Sequence, residues 1–190
     1  CEASNATFVK PGLPFNVSNG IVTLQFDAKQ MLQSVIIRGQ TRRLQFSYGR
    51  YWSMDGSSYF FRPDRAGIRS LYGSFSTFMS VGKLVVEVKQ VLTKGDSEIS
   101  HVFRLYANSD FIEIDYHFGV VASGFDYVVR YQTDVQNGAA FRTDAQGMFM
   151  VDRQFNASMN LEASFFPATE MIQIRDSRSA FSVVTSQSHG

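Results

Sequence analysis

Asp134 and Asp144 bracket a turn in the middle of the chain, with Arg130 and Arg142 beside them, inside DYVVRYQTDVQNGAAFRTDAQGMFMVDR (Asp126 to Arg153). Two carboxylates placed together suit glycosidic bond cleavage, where one protonates the leaving oxygen and the other attacks or activates water. The pair flanks Asn137-Gly138, so a hairpin there would bring the two side chains toward each other. Aspartate in turns more commonly accepts hydrogen bonds from local backbone amides, and that structural reading is taken for both residues. The histidines are His101, His117 and His189. No HExxH, no His-x-Asp pair and no Cys/His cluster is present, so a zinc site built from this chain alone is not expected. No Gly-x-Ser-x-Gly elbow or glycine-rich phosphate cradle occurs either. No catalytic residue and no metal ligand is therefore assigned from these residues.

A second segment has the chemistry of a contact surface: Tyr51, Trp52, then Asp55-Gly56-Ser57-Ser58-Tyr59-Phe60-Phe61-Arg62-Pro63. Aromatic faces pack on the apolar C–H face of a pyranose, and neighbouring polar groups bond its hydroxyls. The plainer alternative is an aromatic-rich strand end packing on the core.

The elements that carry these residues read as strands. Val22, Leu24 and Phe26 share one face. Ile99, His101, Phe103 and Leu105 alternate with polar or outward residues, which puts His101 on an apolar face as a core histidine. Ile112, Ile114, Tyr116 and Phe118 point inward against Glu113, Asp115 and His117, which leaves His117 solvated. Leu84 to Leu92 and Met171 to Ile174 behave similarly. Val129, Tyr131 and Thr133 alternate with Val128, Arg130 and Gln132, and the whole Asp126–Arg153 stretch reads as three short strands joined by two turns. Period two recurs, helical stripes do not, and turn residues punctuate at Ser18-Asn19-Gly20, Lys94-Gly95-Asp96, Asn108-Ser109-Asp110 and Ser123-Gly124. The pattern predicts an all-β antiparallel sandwich. Residues 1–19, with Pro11, Gly12 and Pro14, read as an extended lead-in rather than a packed element, and 20–190 as a single β-sandwich domain.

With 190 residues the chain is long enough for one buried core. Hydrophobic residues at 44% against 18% charged place it among globular domains. A formal charge of +1, with no basic stripe among the aromatics, argues against nucleic acid and against a polybasic membrane surface. No apolar run reaches bilayer-spanning length. The opening CEASNATFVKPG lacks the pattern of a signal peptide, and a start at Cys1 reads as a processed or excised piece. Asn5, Asn16 and Asn156 each begin an Asn-x-Ser/Thr sequon, which points to glycosylation on a secretory route. Cys1 is the sole cysteine and so pairs outside this chain or remains a free thiol.

Several motifs resemble, in order, the carboxyl-terminal β-domain of the glycoside hydrolase family 38 α-mannosidases. Asn19-Gly20 through Phe26-Asp27 resembles its opening strand, and Gly56 to Pro63 is similar to its Ser-Gly-Ala-Tyr-x-Phe-x-Pro segment. Asp126 to Thr133 resembles its Glu-x-x-x-Arg-Phe-x-Thr run. Phe141-Arg142-Thr143-Asp144-Ala145-Gln146-Gly147, followed by Arg153, parallels Phe-Tyr-Thr-Asp-x-Asn-Gly. Ser164-Phe165-Phe166-Pro167 parallels Asn-Tyr-Tyr-Pro, with Ser in place of the Asn amide and Phe in place of both Tyr hydroxyls. The family's Thr-Asp-Arg-Ser-x-Gly run stands here as Thr185-Ser186-Gln187-Ser188-His189-Gly190, without the Asp-Arg pair.

The resemblance implies a large antiparallel supersandwich of galactose-mutarotase-like type, forming part of a larger enzyme. That enzyme would be a retaining, zinc-dependent exo-α-mannosidase that is lysosomal, Golgi-luminal or secreted, removing terminal α-mannose from glycans. Its zinc ligands and Asp nucleophile come from polypeptide outside this chain, so the partners implied are the remaining catalytic chain or domain and mannose-containing glycans. By motif match only Tyr59 inherits a substrate-binding role. The alternative is a divergent, non-catalytic carbohydrate-binding or structural interaction module. An extracellular adhesion-type sandwich is a third reading.

Overall fold

The computed structural model describes residues 6–53, 61–64, 67–71, 73–94, 97–119 and 124–187. Cys1, Asn5, Tyr59 and His189 lie outside these residues. The first strands are β1 (Thr7–Val9), β2 (Phe15–Ser18), β3 (Val22–Phe26), β4 (Leu32–Ile37), β5 (Gln40–Trp52), β6 (Arg69–Ser70) and β7 (Phe75–Val81). They are followed by β8 (Val85–Lys94), β9 (Ser97–Tyr106), β10 (Glu113–Phe118), β11 (Phe125–Thr133), β12 (Ala140–Ala145), β13 (Phe149–Gln154), β14 (Met171–Arg175) and β15 (Ala180–Val184). A single 3-10 turn, Glu162–Ser164, is the helical element among the described residues.

Among the described residues all pairings are antiparallel, in three sheets. The first has the order β1-β7-β8-β9-β10. The second runs β11-β5-β4-β3-β2 with β6 alongside β5, and the third runs β13-β12-β14-β15. The all-β antiparallel sandwich read from alternation is therefore the observed fold. Val22, Leu24 and Phe26 are buried with Leu44 and Phe46 from the second sheet, against Val88, Leu92, Phe103 and Leu105 from the first. Phe103 is the meeting point of the two layers, with its ring centroid 5.6 Å from Phe26 and 5.4 Å from Phe46.

Residues 6–19, expected to lie in an extended lead-in rather than a packed element, are instead paired at the sheet edges. β1 forms the edge of the first sheet and β2 that of the second. Phe15 stacks on Phe26 with centroids 4.6 Å apart, and Val17 is buried. A short strand can be recruited this way because the sheet edge supplies the backbone partners that its own sequence does not announce.

Between the two large sheets lies a chain of buried polar groups. Tyr48 on β5 donates its hydroxyl to His101 Nδ1 on β9 at 2.6 Å, and His101 Nε2 meets Gln90 Oε1 on β8 at 2.9 Å. Gln90 Nε2 donates to the Gln30 carbonyl at 2.7 Å and to Thr77 Oγ1 at 3.0 Å. Thr77 donates to Gln30 Oε1 at 2.7 Å, and Gln30 Nε2 donates to the Val9 carbonyl at 2.8 Å. The direction of donation is set by the ends of the chain. A carbonyl must accept from Gln90 Nε2, which turns Oε1 toward His101, so Nε2 of the imidazole carries the proton and Nδ1 accepts. Gln30 reaches this position from a left-handed backbone (φ +64°) in the β3–β4 turn, where Asp27 Oδ1 accepts from the Lys29 and Met31 amides at 2.9 and 2.8 Å.

Burial lowers the His101 pKa from 6.5 to about 3. A histidine held neutral in the fold contributes in full above its unfolded pKa. As pH falls below 6.5 the unfolded state takes up the proton first, and the folded state loses ground until about pH 3. The urea unfolding free energy should fall by about 2 kcal/mol between pH 7 and pH 5 from this group. His101→Gln should start less stable and show a flatter slope across that window. Equal slopes in the two proteins would rule out His101 as the origin.

Candidate functional site

The aromatic segment of the sequence analysis sits at one end of β5. Tyr59 and its neighbours at 54–60 lie outside the described residues, so the strand ends on either side define the site. Ser53 pairs with Pro63 in an antiparallel bridge, the Asp64 amide donates to the Trp52 carbonyl at 2.8 Å, and the Ser53 amide donates to the Gly124 carbonyl at 2.9 Å. These contacts hold the two ends of the Tyr59 segment together and tie both to the start of β11.

Two aromatic groups brace the same point from opposite faces of the strand. Trp52 packs on Phe125 with centroids 4.3 Å apart, and the Arg50 guanidinium lies 3.9 Å over the Phe125 ring. On the other side Tyr51 meets Phe61 edge-on at 5.1 Å, and Phe61 stacks on Phe165 at 5.4 Å. Phe165, which stands where the family motif has a tyrosine, thus uses its ring as a packing face. At Gly49 nearby, a Cβ would come within 2.3 Å of the Ile68 side chain, which would have to shift to admit it. Tyr51, Trp52 and Phe61 pack on one another or on neighbouring rings, as the plainer reading of this segment expects. Among the described residues Arg50 Nε, Asp126 Oδ2 and Tyr127 Oη, at this end of β5 and β11, are buried without a hydrogen-bond partner.

Asp134 and Asp144 are not brought together. The hairpin expected at Asn137-Gly138 does not form, since β11 pairs along its length with β5 and β12 belongs to another sheet. The Asn137 side chain bonds the Ala140 carbonyl at 2.7 Å, so the turn chemistry is real, yet it carries the chain from one sheet to the next. Asp134 lies 3.7 Å from Arg42. Arg142 pairs with Asp152 at 2.9 Å, out of line for a hydrogen bond from its Nε. Arg130 is exposed.

Asp144 is an anchor. Its Oδ1 accepts from the Thr169, Glu170 and Met171 amides, each at 2.9 Å, and its Oδ2 accepts from the Gly147 amide at 2.7 Å. Backbone hydrogen bonds, those from Met171 and Glu170 foremost, hold its pKa at about 2. Such a carboxylate is too acidic and too fully engaged for general acid work. The β12–β13 hairpin beside it turns at Gln146 and Gly147, with φ of +55° and +69°. Arg153 donates from Nε to Thr143 Oγ1 at 3.3 Å and lies 5.7 Å over the Phe166 ring, while Phe141 meets Phe166 at 5.0 Å. The Phe-Arg-Thr-Asp-Ala-Gln-Gly motif is thus the joint that fixes β14 and the 155–170 connection against the hairpin. Asp176 repeats the device, accepting from the Gln136, Arg178 and Ser179 amides, and its carboxyl is pushed well below the usual range by those bonds, Gln136 first.

The family model for the glycosyl hydrolases family 38 C-terminal domain matches residues 17–190. The chain belongs to that family. It is 30% identical to Alpha-mannosidase 2 of Arabidopsis thaliana over 92% of this chain and 16% of the relative. It is 25% identical to Lysosomal alpha-mannosidase of Cavia porcellus over 73% of this chain and 15% of the relative. Identity to Alpha-mannosidase of Canavalia ensiformis is also 25%, over 97% of this chain and 21% of the relative. The chain therefore spans about a fifth or less of the length of these relatives. Within this C-terminal domain of family 38, the motifs that carry the resemblance are joints of the scaffold: the two ends of the Tyr59 segment, the β11 strand and the Asp144 anchor. Among the described residues no helix is long and apolar enough to cross a membrane.

Asp144→Ala should free the amides of Thr169, Glu170 and Met171, raising their hydrogen-exchange rates at least about tenfold and lowering the thermal midpoint. Unchanged protection at those three amides would show that the anchor is redundant.

Proposed function

We propose that this chain is the non-catalytic β-domain portion of a retaining exo-α-mannosidase, with residues 20–190 as its folded unit. It packs on the catalytic domain and completes the pocket for a terminal α-mannose through Tyr59. The observation that carries the reading is the family match across 17–190. It is supported by the way the groups most suited to acid–base chemistry are engaged: His101 is bonded on both ring nitrogens, and Asp144 on both oxygens. The nucleophile and the acid then come from polypeptide outside this chain. Zinc would be held there too, as the resemblance to the family implies.

In this reading the strand bridge at Ser53 and Pro63 and the rings of Trp52, Phe125, Phe61 and Phe165 form a rigid base for the segment that bears Tyr59. A tyrosine held from such a base orients sugar hydroxyls and transfers no proton. With the intact parent and an α-mannoside as substrate, Tyr59→Phe should lower kcat/KM by about tenfold, the equivalent of one hydrogen bond at the transition state. Unchanged kinetics would remove Tyr59 from the site. A parent without mannosidase activity would favour the non-catalytic carbohydrate-binding or structural module instead.

The route is secretory, with the lysosome, the Golgi lumen and the exterior as destinations, and Asn5, Asn16 and Asn156 as glycan carriers. Asn5 lies outside the described residues. Asn16 is exposed on the edge strand β2. Asn156 is exposed in a turn where its Oδ1 accepts from the Ser158 amide at 3.0 Å and hydroxyl at 2.6 Å, leaving the amide nitrogen outward. Intact mass before and after enzymatic deglycosylation of secreted material should show a glycan lost in Asn156→Gln. A mass equal to the bare polypeptide would overturn the secretory assignment.

A further inference from the structure

The outer face of the second sheet carries a polar depression of about 370 Å³, lined by Met31, Gln33, Gln45, Ser47, Arg130 and Gln132. Its shape begins with a bulge. Gln25 pairs with Ser34 and Phe26 with Leu32, so Gln33 has no opposite number. Leu32 is buried in the core, and the extra residue lets Gln33 and Ser34 both turn outward, where strict alternation would allow only one. Gln33 Nε2 then donates to Asp27 Oδ2 at 3.0 Å, Gln33 Oε1 accepts from Gln45 Nε2, and Gln45 Oε1 accepts from Arg43 Nε and Nη2 at 3.2 and 2.8 Å. This chain of planar groups holds one wall of the depression in a single arrangement.

The other wall is unspent. On β11, Arg130 stands opposite Ser47 and Gln132 opposite Gln45. Among the described residues the side chains of Ser47, Arg130 and Gln132 have no hydrogen-bond or ion-pair partner. A solvated sheet face does not need its amides chained into one rotamer. Pre-ordered amides facing free donors are the arrangement that lowers the entropic cost of binding. The lining offers guanidinium, amide and hydroxyl groups and no carboxylate, which favours an oxygen-rich partner over a cation. It is open, and Met31, Leu32, Phe46 and Tyr131 line it beside the polar groups, a mixture that suits a pyranose with its hydroxyls and its C–H face better than a compact apolar ligand. Neighbouring strands set these groups about 4.8 Å apart, within reach of hydroxyls on one pyranose ring.

We propose that this depression is a secondary glycan-binding groove that takes a neutral oligomannose segment, with Gln45, Gln132 and Arg130 bonding vicinal hydroxyls. The assignment of mannose rests on the function proposed above. The groove would hold the body of a branched glycan while its terminal residue is presented elsewhere on the parent.

The test is an NMR titration of the 190-residue chain with an α-linked mannotriose, with cellotriose and inorganic sulfate as separate arms. The expected result is millimolar binding of mannotriose, with shifts centred on the side-chain amides of Gln33, Gln45 and Gln132. Arg130→Ala combined with Gln132→Ala should weaken it at least about tenfold, a loss of about 1.4 kcal/mol. Both substitutions are at exposed positions, so amide dispersion and the thermal midpoint should stay as in the unsubstituted chain. No shift at tens of millimolar, shifts mapping to another face, equal affinity in the double variant, equal response to cellotriose, or tighter binding of sulfate would each overturn the proposal. A parent that cleaves an α-mannoside while this chain ignores mannotriose rejects the groove alone. A parent without that activity, beside intact mannotriose binding, rejects the enzyme reading alone.

Discussion

The buried polar groups that run from the Tyr48 hydroxyl to the Val9 carbonyl can satisfy one another only if distant segments of the chain meet in register. One member comes from each of β5, β9, β8, β7 and the β3–β4 turn, and β1 supplies the last carbonyl. A slip of any one strand would leave a donor or acceptor stranded in the core, at about 1–3 kcal/mol each. Hydrophobic contact between the sheets tolerates small displacements, whereas this chain does not. It is the constraint that sets how the two large sheets sit on each other, and it explains why Gln30 is held with a left-handed backbone in a buried position.

The consequences reach the end of β5. Tyr48 is clamped by His101, and the same strand continues through Gly49 and Arg50 to Trp52, where the Tyr59 segment departs. Rings from β11 and from the 155–170 connection close on that departure point. Because the second ring, Phe165, comes from the connection that Asp144 pins in place, the core, the hairpin anchor and the base of the Tyr59 segment form one mechanical unit. Under the proposed function, placement of a single tyrosine draws on contacts spread over most of the chain, as precise positioning of a sugar hydroxyl requires.

Much of this was legible in the residues. Strict alternation marked β3, β9 and β10 and assigned their inward faces, including His101 as a core histidine. The turn preference of aspartate pointed to backbone amides as the partners of Asp144, and those are the bonds it makes. Other features were hidden for definable reasons. The pairing of β11 with β5 joins segments far apart in the chain, and any local pattern is equally compatible with a hairpin to β12. The bulge at Gln33 leaves no mark in composition, because a glutamine on an outward face reads as ordinary solvated surface. The recruitment of β1 and β2 depends on vacant sheet edges supplied by other parts of the chain.

By itself, then, the sequence determined that the domain is built of strands, which faces of β3, β9 and β10 are apolar, and to which family the domain belongs. Those properties follow from side-chain period and from short runs of residues whose geometry is local. Only the tertiary structure decided which strand lies beside which, where Asp134 and Asp144 separate, and which outward amides are chained into a groove. Backbone donors and acceptors are the same on every strand edge, so partners are chosen by the fit of buried groups that the chain brings together from a distance.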